Sequence, residues 1–76
     1  IMKLNQIWLD DEVVITVVDE SSMRRRLFDL GFIPGAKVKC ILISPFHDPK
    51  AYFINGNVIA LRNKDASCIE VSYEGD

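Results

Sequence analysis

The sequence is poor in the residues that a catalytic or metal centre requires. Its 76 residues include one histidine, two cysteines and four glycines. His47 lies beside Asp48 in a loop bounded by prolines, and no CxxC or HxxxH spacing brings further ligands to this pair. The glycines are spread over separate turns, which excludes a phosphate-cradling loop. We therefore expect a protein that is not an enzyme and that requires no cofactor.

Long hydrophobic runs and an excess of basic charge are also missing. Apolar runs reach at most four residues, whereas a membrane-spanning helix needs roughly 20. The net charge of −2 argues against nucleic-acid binding, which requires a basic face. Without a secretory signal or a dense cysteine pattern, we expect a reduced, cytoplasmic setting in which Cys40 and Cys68 are small buried hydrophobic residues. Residues 1–76 are expected to form one domain, with no insertion into a membrane.

The segment 22–36 predicts a short helix closed by a glycine. Met23, Leu27 and Leu30 recur at helical spacing and form an apolar stripe. Ser21 or Ser22 is expected to cap the start of this helix.

The end of the helix has its own signals. Gly31 is expected to adopt left-handed geometry and let Phe32 fold back towards Leu27, in a Schellman-type closure. Pro34 and Gly35 suit the two central positions of a type II turn.

Most of the remaining chain predicts strands with short connections. Strict alternation places Val17 on the same face as Val13, and Leu42 on the same inward face as Val38. Such short strands can close into a small barrel, which would remove exposed sheet edges. Together with an Asn-Gly hairpin turn, the pattern predicts five strands at residues 13–18, 37–43, 51–55, 57–62 and 68–73.

The basic run from Arg24 to Arg26 has three interpretations. It can be a solvated helix face supported by Arg25 and Asp29 at i, i+4. It can also dock on an acidic partner surface, or stabilise phosphate charge in a partner's nucleotide site. The spacing alone does not distinguish these.

The stretches RRRLFDLGFIPG, SPFHDP and VIALR, in this order, resemble the family of ferrous iron transport protein A (FeoA). The resemblance implies a mainly β, SH3-like five-stranded barrel with one short α-helix inserted after the first long strand. It also implies a cytoplasmic accessory protein of bacterial ferrous iron uptake, acting on the membrane transporter ferrous iron transport protein B, whose cytoplasmic part is a GTPase. This chain has His47 where a glycine is common in the family. The motif positions are Arg26, Leu27, Leu30, Gly31, Pro34, Gly35, Pro45, Asp48, Pro49, Ala60, Leu61 and Arg62.

Three functional hypotheses follow. The first is a regulatory module that binds the transporter's cytoplasmic part through residues with no necessary role in the core, namely Arg24, Arg25, Phe46 and His47. The second is a metal-responsive domain in which His47 and Asp48 bind Fe²⁺ or a similar transition metal weakly. The third is a self-association module that uses apolar residues left on strand faces, namely Ile41, Ile43 and Ile54.

Overall fold

The computed structural model describes residues 1–73, which form six strands and three short helical segments. The helical segments are a 3₁₀ helix (Leu4–Gln6), α1 (Arg24–Asp29) and α2 (Asn63–Ala66). The strands are β1 (Met2–Lys3), β2 (Glu12–Val18), β3 (Lys37–Ile43), β4 (Lys50–Ile54), β5 (Asn57–Leu61) and β6 (Ile69–Tyr73).

All six strands belong to one antiparallel sheet, in the order β1-β6-β2-β3-β4-β5. The five predicted strands are present, and a sixth is added by the two residues of β1. Met2 pairs with Val71 and Lys3 with Glu70, so the start of the chain is fixed against the last strand. Lys3 also forms ion pairs with Asp19 and Glu70, at 3.1 and 3.6 Å, which raise the pKa of its ammonium.

The core takes residues from nearly every element, including the segment before β2. Leu4 and Ile7 are fully buried, because the 3₁₀ helix lays its apolar side across the sheet. The phenol of Tyr52 lies beneath this segment, 3.5 Å from the backbone oxygen of Leu4. The N-terminal residues are therefore part of the hydrophobic core. The other buried apolar residues are Val13, Ile15, Val18, Leu27, Phe32, Val38, Cys40, Ile54, Leu61, Ala66, Ile69 and Val71.

Two irregularities break the alternation expected from the sequence. The β2–β6 register shifts between Ile15 and Val17, so Val18 is buried and Val17 is exposed. The β3–β4 register shifts between Cys40 and Leu42, so Leu42 points to solvent. The predictions that Val17 shares a face with Val13 and that Leu42 points inward are therefore wrong, because each irregularity reverses the face of the residues that follow it.

Helix α1 is shorter than predicted at its start and closes as predicted at its end. It begins at Arg24, and Ser21 Oγ accepts a hydrogen bond from the Met23 N–H at 3.2 Å without capping the helix itself. At the other end the Gly31 N–H donates to Phe28 O, and the Phe32 N–H donates to Leu27 O at 2.9 Å. This pair of bonds is the Schellman motif.

The two remaining turn predictions are confirmed. The Ala36 N–H donates to Ile33 O at 3.0 Å across Pro34 and Gly35, whose φ of +92° is the positive value that a type II turn requires at its third position. Asn55 and Gly56 have φ values of +50° and +79°, as in a type I′ turn, and they join β4 to β5.

The sheet of residues 1–73 has two edge strands, the two-residue β1 and the longer β5. β5 pairs only with β4 among the described strands, so the expectation that a barrel would remove every edge is not met there. The self-association hypothesis also changes, because Ile54 points into the core with 1% of its surface exposed. Ile41 is exposed, as that hypothesis requires, whereas Ile43 is half-buried and packs against the core, because it follows the register shift in β3.

Candidate functional site

Helix α1 presents three adjacent cationic side chains to solvent. Arg24, Arg25 and Arg26 are all exposed, whereas Leu27 is fully buried beneath them. The ion pairs found among residues 1–73 are both made by Lys3. No carboxylate of these residues therefore pairs with the arginines, and the Arg25–Asp29 pair of the solvated-face interpretation is not formed. The Arg24 guanidinium instead lies over the ring of Phe28, 5.2 Å from its centroid. The helix therefore exposes an unneutralised cationic surface beside an aromatic ring.

The loop between β3 and β4 displays a second group of predicted residues. Phe46 is 93% exposed at its tip. The His47 N–H donates to Ser44 O at 2.8 Å, which closes a tight turn across Pro45 and Phe46. His47 itself has φ of +65°, in the left-handed region that glycine adopts without steric cost. Glycine suits this positive φ, whereas histidine is strained there.

The rest of the loop is held by α2. Asp48 Oδ1 accepts a hydrogen bond from the Asn63 N–H at 2.9 Å, and Asn63 Nδ2 donates to His47 O at 2.8 Å. Asp48 therefore supplies the acceptor for the first backbone N–H of α2, in the manner of a cap provided by a distant residue. This is a folding role for Asp48. Pro49 follows it through a cis peptide bond.

Two residues that the sequence analysis did not single out complete the base of this loop. The indole of Trp8 meets the His47 ring edge-on, with 5.1 Å between centroids and 88° between planes. Lys50 Nζ lies 5.6 Å from the centroid of the same indole and donates to Asn5 O at 2.6 Å and Ile7 O at 3.0 Å. Lys50 is only 4% exposed. A signal was available, since Lys50 shares its strand face with the buried residues at 52 and 54.

The predicted metal site has few further ligands near it. Among the described residues, no group of three or more histidine, cysteine or acidic side chains could hold a metal ion. The Asp48 carboxylate already accepts a hydrogen bond, and the His47 ring contacts Trp8. Binding by His47 and Asp48 stays a prediction of a two-ligand, weak site.

The cysteines lie apart from this loop's chemistry. Both are free thiols, with Cys40 buried, as predicted, and Cys68 only half-buried. Cys40 lies opposite Tyr52 on neighbouring strands. Burial raises the pKa of the Cys40 thiol and of the Tyr52 phenol above their ordinary values, because an ionised side chain there would lose its hydration. Both groups are therefore neutral core residues.

The remaining motif residues act mainly in folding. Leu30 packs partly buried against the core, and Pro34, Gly35 and Pro45 lie exposed in their turns. Gly31 follows α1 and lies against the Asn55 side chain, at the end of β4 remote from the loop that carries Phe46. Five strand residues span roughly 16 Å. The structure therefore places the end of α1 and the Phe46 loop at opposite ends of β4, rather than in one compact cluster.

None of the helices within residues 1–73 has the length and apolar character needed to cross a membrane.

Comparison with known proteins gives a consistent result over almost the whole chain. The model of the FeoA domain family matches residues 2–73. A curated relative from Porphyromonas gingivalis, an Fe(2+) transport protein A/Fe(2+) transporter FeoB fusion protein, is 32% identical over 71 residues, which are 92% of this chain. The chain spans 8% of the length of that relative.

Solved structures of relatives share the fold. The FeoA protein of Chlorobium tepidum is 35% identical, with a TM-score of 0.88 over 97% of this chain and 71% of its own. The zinc-complexed FeoA of Stenotrophomonas maltophilia is 27% identical, with a TM-score of 0.82 over 95% of this chain and 91% of its own. The latter is described as a prokaryotic SH3 domain protein and a candidate activating factor for bacterial ferrous iron transport, which confirms the SH3-like fold expected for this chain. By sequence and by fold, the chain belongs to the FeoA domain family.

Proposed function

We propose that this chain is a cytoplasmic, non-enzymatic accessory protein of bacterial ferrous iron uptake, which regulates the transporter FeoB by binding its cytoplasmic GTPase part. The Porphyromonas gingivalis relative supports the pairing, because it joins both functions in one fusion protein. Covalent fusion of two domains raises the effective concentration of one for the other, as expected of domains that act together.

The observation that carries the proposal is the unneutralised arginine surface of α1, formed by Arg24, Arg25 and Arg26. None of the three side chains belongs to the core, since all are exposed and the stripe on the buried side of the helix is apolar. In a chain with a net charge of −2, three adjacent cations form a local positive surface. Such a surface favours an acidic partner, and electrostatic complementarity of this kind increases the association rate and the selectivity of binding.

The loop tip supplies a second contact. Phe46 is the most exposed aromatic side chain in the described part of the chain, and buried aromatic residues are frequent anchors in protein interfaces. Since the loop is held by Asn63 and by the contact of His47 with Trp8, Phe46 is presented from a fixed base.

The proposed contact is made by protein side chains and requires no bound cofactor. Zinc is present in the Stenotrophomonas maltophilia relative. Transition-metal binding at His47 and Asp48 of this chain would be an additional property of the loop.

Titration of the purified cytoplasmic part of FeoB with this chain tests the proposal. The double variant Arg24→Glu/Arg25→Glu is expected to bind at least roughly tenfold more weakly, because it places carboxylates against an acidic partner. The single variant Arg25→Glu has Lys64→Glu as its control, because both make the same charge change at an exposed helical position. Lys64→Glu is expected to bind like the wild type.

Phe46→Ala tests the loop separately, with circular dichroism to verify the fold. Equal binding by the wild type and the double arginine variant would show that α1 is the wrong surface. No binding by the wild type would contradict the proposed partner. Measuring GTP hydrolysis in the same titration would show whether the chain stimulates or restrains the transporter.

A further inference from the structure

Strand β5 ends the sheet and carries no charge. Its sequence, Asn57 to Leu61, contains no lysine, acidic residue or proline, the residues that commonly block pairing at a sheet edge. Val58 is 61% exposed, and Ala60 is also exposed. This edge is therefore unprotected.

The hairpin geometry identifies which backbone groups face outward. The two-residue turn at Asn55 and Gly56 makes Ile54 and Asn57 a hydrogen-bonded pair. Hydrogen-bonded and non-hydrogen-bonded pairs alternate along an antiparallel ladder. The N–H and C=O groups of Val58 and Ala60 consequently point away from β4, and no hydrogen bond to them is found within residues 1–73.

We propose that the outer edge of β5 pairs antiparallel with β5 of a second copy of this chain, about a two-fold axis at Ile59. In this register Val58 of one copy exchanges both backbone hydrogen bonds with Ala60 of the other, and the reverse pair does the same. Ile59 then faces its own symmetry mate. The two outward donors and two outward acceptors of each copy are all used, which makes the edge complementary to itself.

The side chains fit the same register. Phe53 of β4 lies opposite Val58 of β5, and Ala51 lies opposite Ala60. In the paired form, the row Phe53–Val58 continues into Ala60 and Ala51 of the second copy, with the smaller residues meeting the larger. The apolar contacts of this interface are made by Val58 and Phe53. They differ from the residues of the self-association hypothesis in the sequence analysis, which included the buried Ile54.

Charge favours a second copy over a foreign strand. No charged side chain lies on β5, so the two-fold pairing brings no like charges together. A partner strand with charged residues would find no counter-charge on this edge. The interface is small, so we expect association in the ~0.1–1 mM range rather than a permanent dimer.

Sedimentation equilibrium and amide NMR spectra, recorded over that concentration range, test the pairing. The wild type is expected to dimerise, with concentration-dependent shifts at the Val58 and Ala60 amides that exceed those at Asn57, Ile59 and Leu61. Val58→Lys is expected to weaken dimerisation by roughly tenfold or more, because lysine blocks edge pairing. Val17→Lys makes the same change at an exposed site on the interior strand β2 and should leave dimerisation unchanged.

Ala60→Pro is a second variant, because it removes an outward N–H that the fold does not use. It should remain folded by circular dichroism and lose the dimer. A wild type that is monomeric throughout the range would overturn the proposal, as would equal effects of the two lysine variants. Shifts at these amides only on addition of the FeoB part would show that the occupant is a different protein.

Discussion

The ammonium of Lys50 lies 2.6 Å from the backbone oxygen of Asn5, which ties the first residue of β4 to the N-terminal segment. The same ammonium donates to Ile7 O and lies against the face of Trp8. This one buried cation therefore holds together the 3₁₀ helix and the base of the Phe46 loop.

Replacing Lys50 by methionine is expected to lower the free energy of unfolding by about 2–3 kcal/mol, since two charge-assisted hydrogen bonds are lost and two carbonyl groups lose their donor. Urea denaturation measures the loss. Lys64→Met, at an exposed position on α2, is the control and is expected to change stability by less than about 0.5 kcal/mol. A similar small effect at both sites would mean that water replaces the Lys50 ammonium at little cost.

His47 is expected to respond to substitution in an unusual order. Both His47→Gly and His47→Ala remove the contact with Trp8, but only glycine relieves the left-handed backbone. The glycine variant should therefore be more stable than the alanine variant by roughly 1 kcal/mol. Phe46, whose φ is not positive, is the control: there the alanine variant should be more stable than the glycine variant, because glycine loses more backbone entropy on folding. Thermal denaturation of the four variants provides the comparison.

Alanine substitutions at Gly31 and Gly35 distinguish the effect of backbone strain from that of side-chain crowding. Both have positive φ, at +103° and +92°, so alanine is strained at either position. A Cβ at Gly31 would also lie 2.7 Å from Asn55 Nδ2, whereas nothing lies within 4 Å of one at Gly35. We expect Gly31→Ala to cost about 1 kcal/mol more than Gly35→Ala.

The variant Asn55→Gly tests the cause of that difference. Asn55→Gly removes the side chain that a Cβ at Gly31 would crowd. In a chain that carries Asn55→Gly, the loss of unfolding free energy caused by Gly31→Ala should therefore be close to that caused by Gly35→Ala. Denaturant midpoints decide the matter, and an unchanged difference in the double variant would mean that Asn55 moves aside freely.

The two thiols should differ in reactivity. Cys40 is fully buried, and burial raises the pKa of its thiol, so both access and the thiolate fraction are reduced. In the folded protein, Cys68 should react with N-ethylmaleimide roughly tenfold or more faster than Cys40. Mass spectrometry of timed samples measures both sites, and the difference should disappear in denaturant. Equal rates without denaturant would indicate frequent opening of β3.

Local signals were sufficient to predict the turns but not the irregular strands. Gly31, the Pro34–Gly35 turn and the Asn55–Gly56 hairpin were predicted because each residue type directly meets a backbone requirement of its turn. The register shifts that expose Val17 and Leu42 depend on pairing with distant strands, and nothing local in the sequence marks them. β1 was missed for the same reason, since two residues form a strand only because β6 is beside them.

The candidate site shows the same division. Exposure of Arg24, Arg25 and Phe46 followed from their having no place in the apolar pattern. The roles of Trp8 and Lys50 required knowledge of which distant carbonyl groups and rings meet at the loop. A lysine in a strand is usually expected to face solvent, and in this protein tertiary hydrogen bonds place it inside.

The pairing of Met2 with Val71 determines where another protein domain can be fused to this fold. Because those strands run antiparallel, the chain enters and leaves the sheet side by side, at the same end of the same pair. A protein joined before Met2 or after Tyr73 would thus be tethered from one corner of the domain. By the same geometry, a short linker could join the two ends, and a circular permutant opened at the exposed Asn55–Gly56 turn should retain the fold.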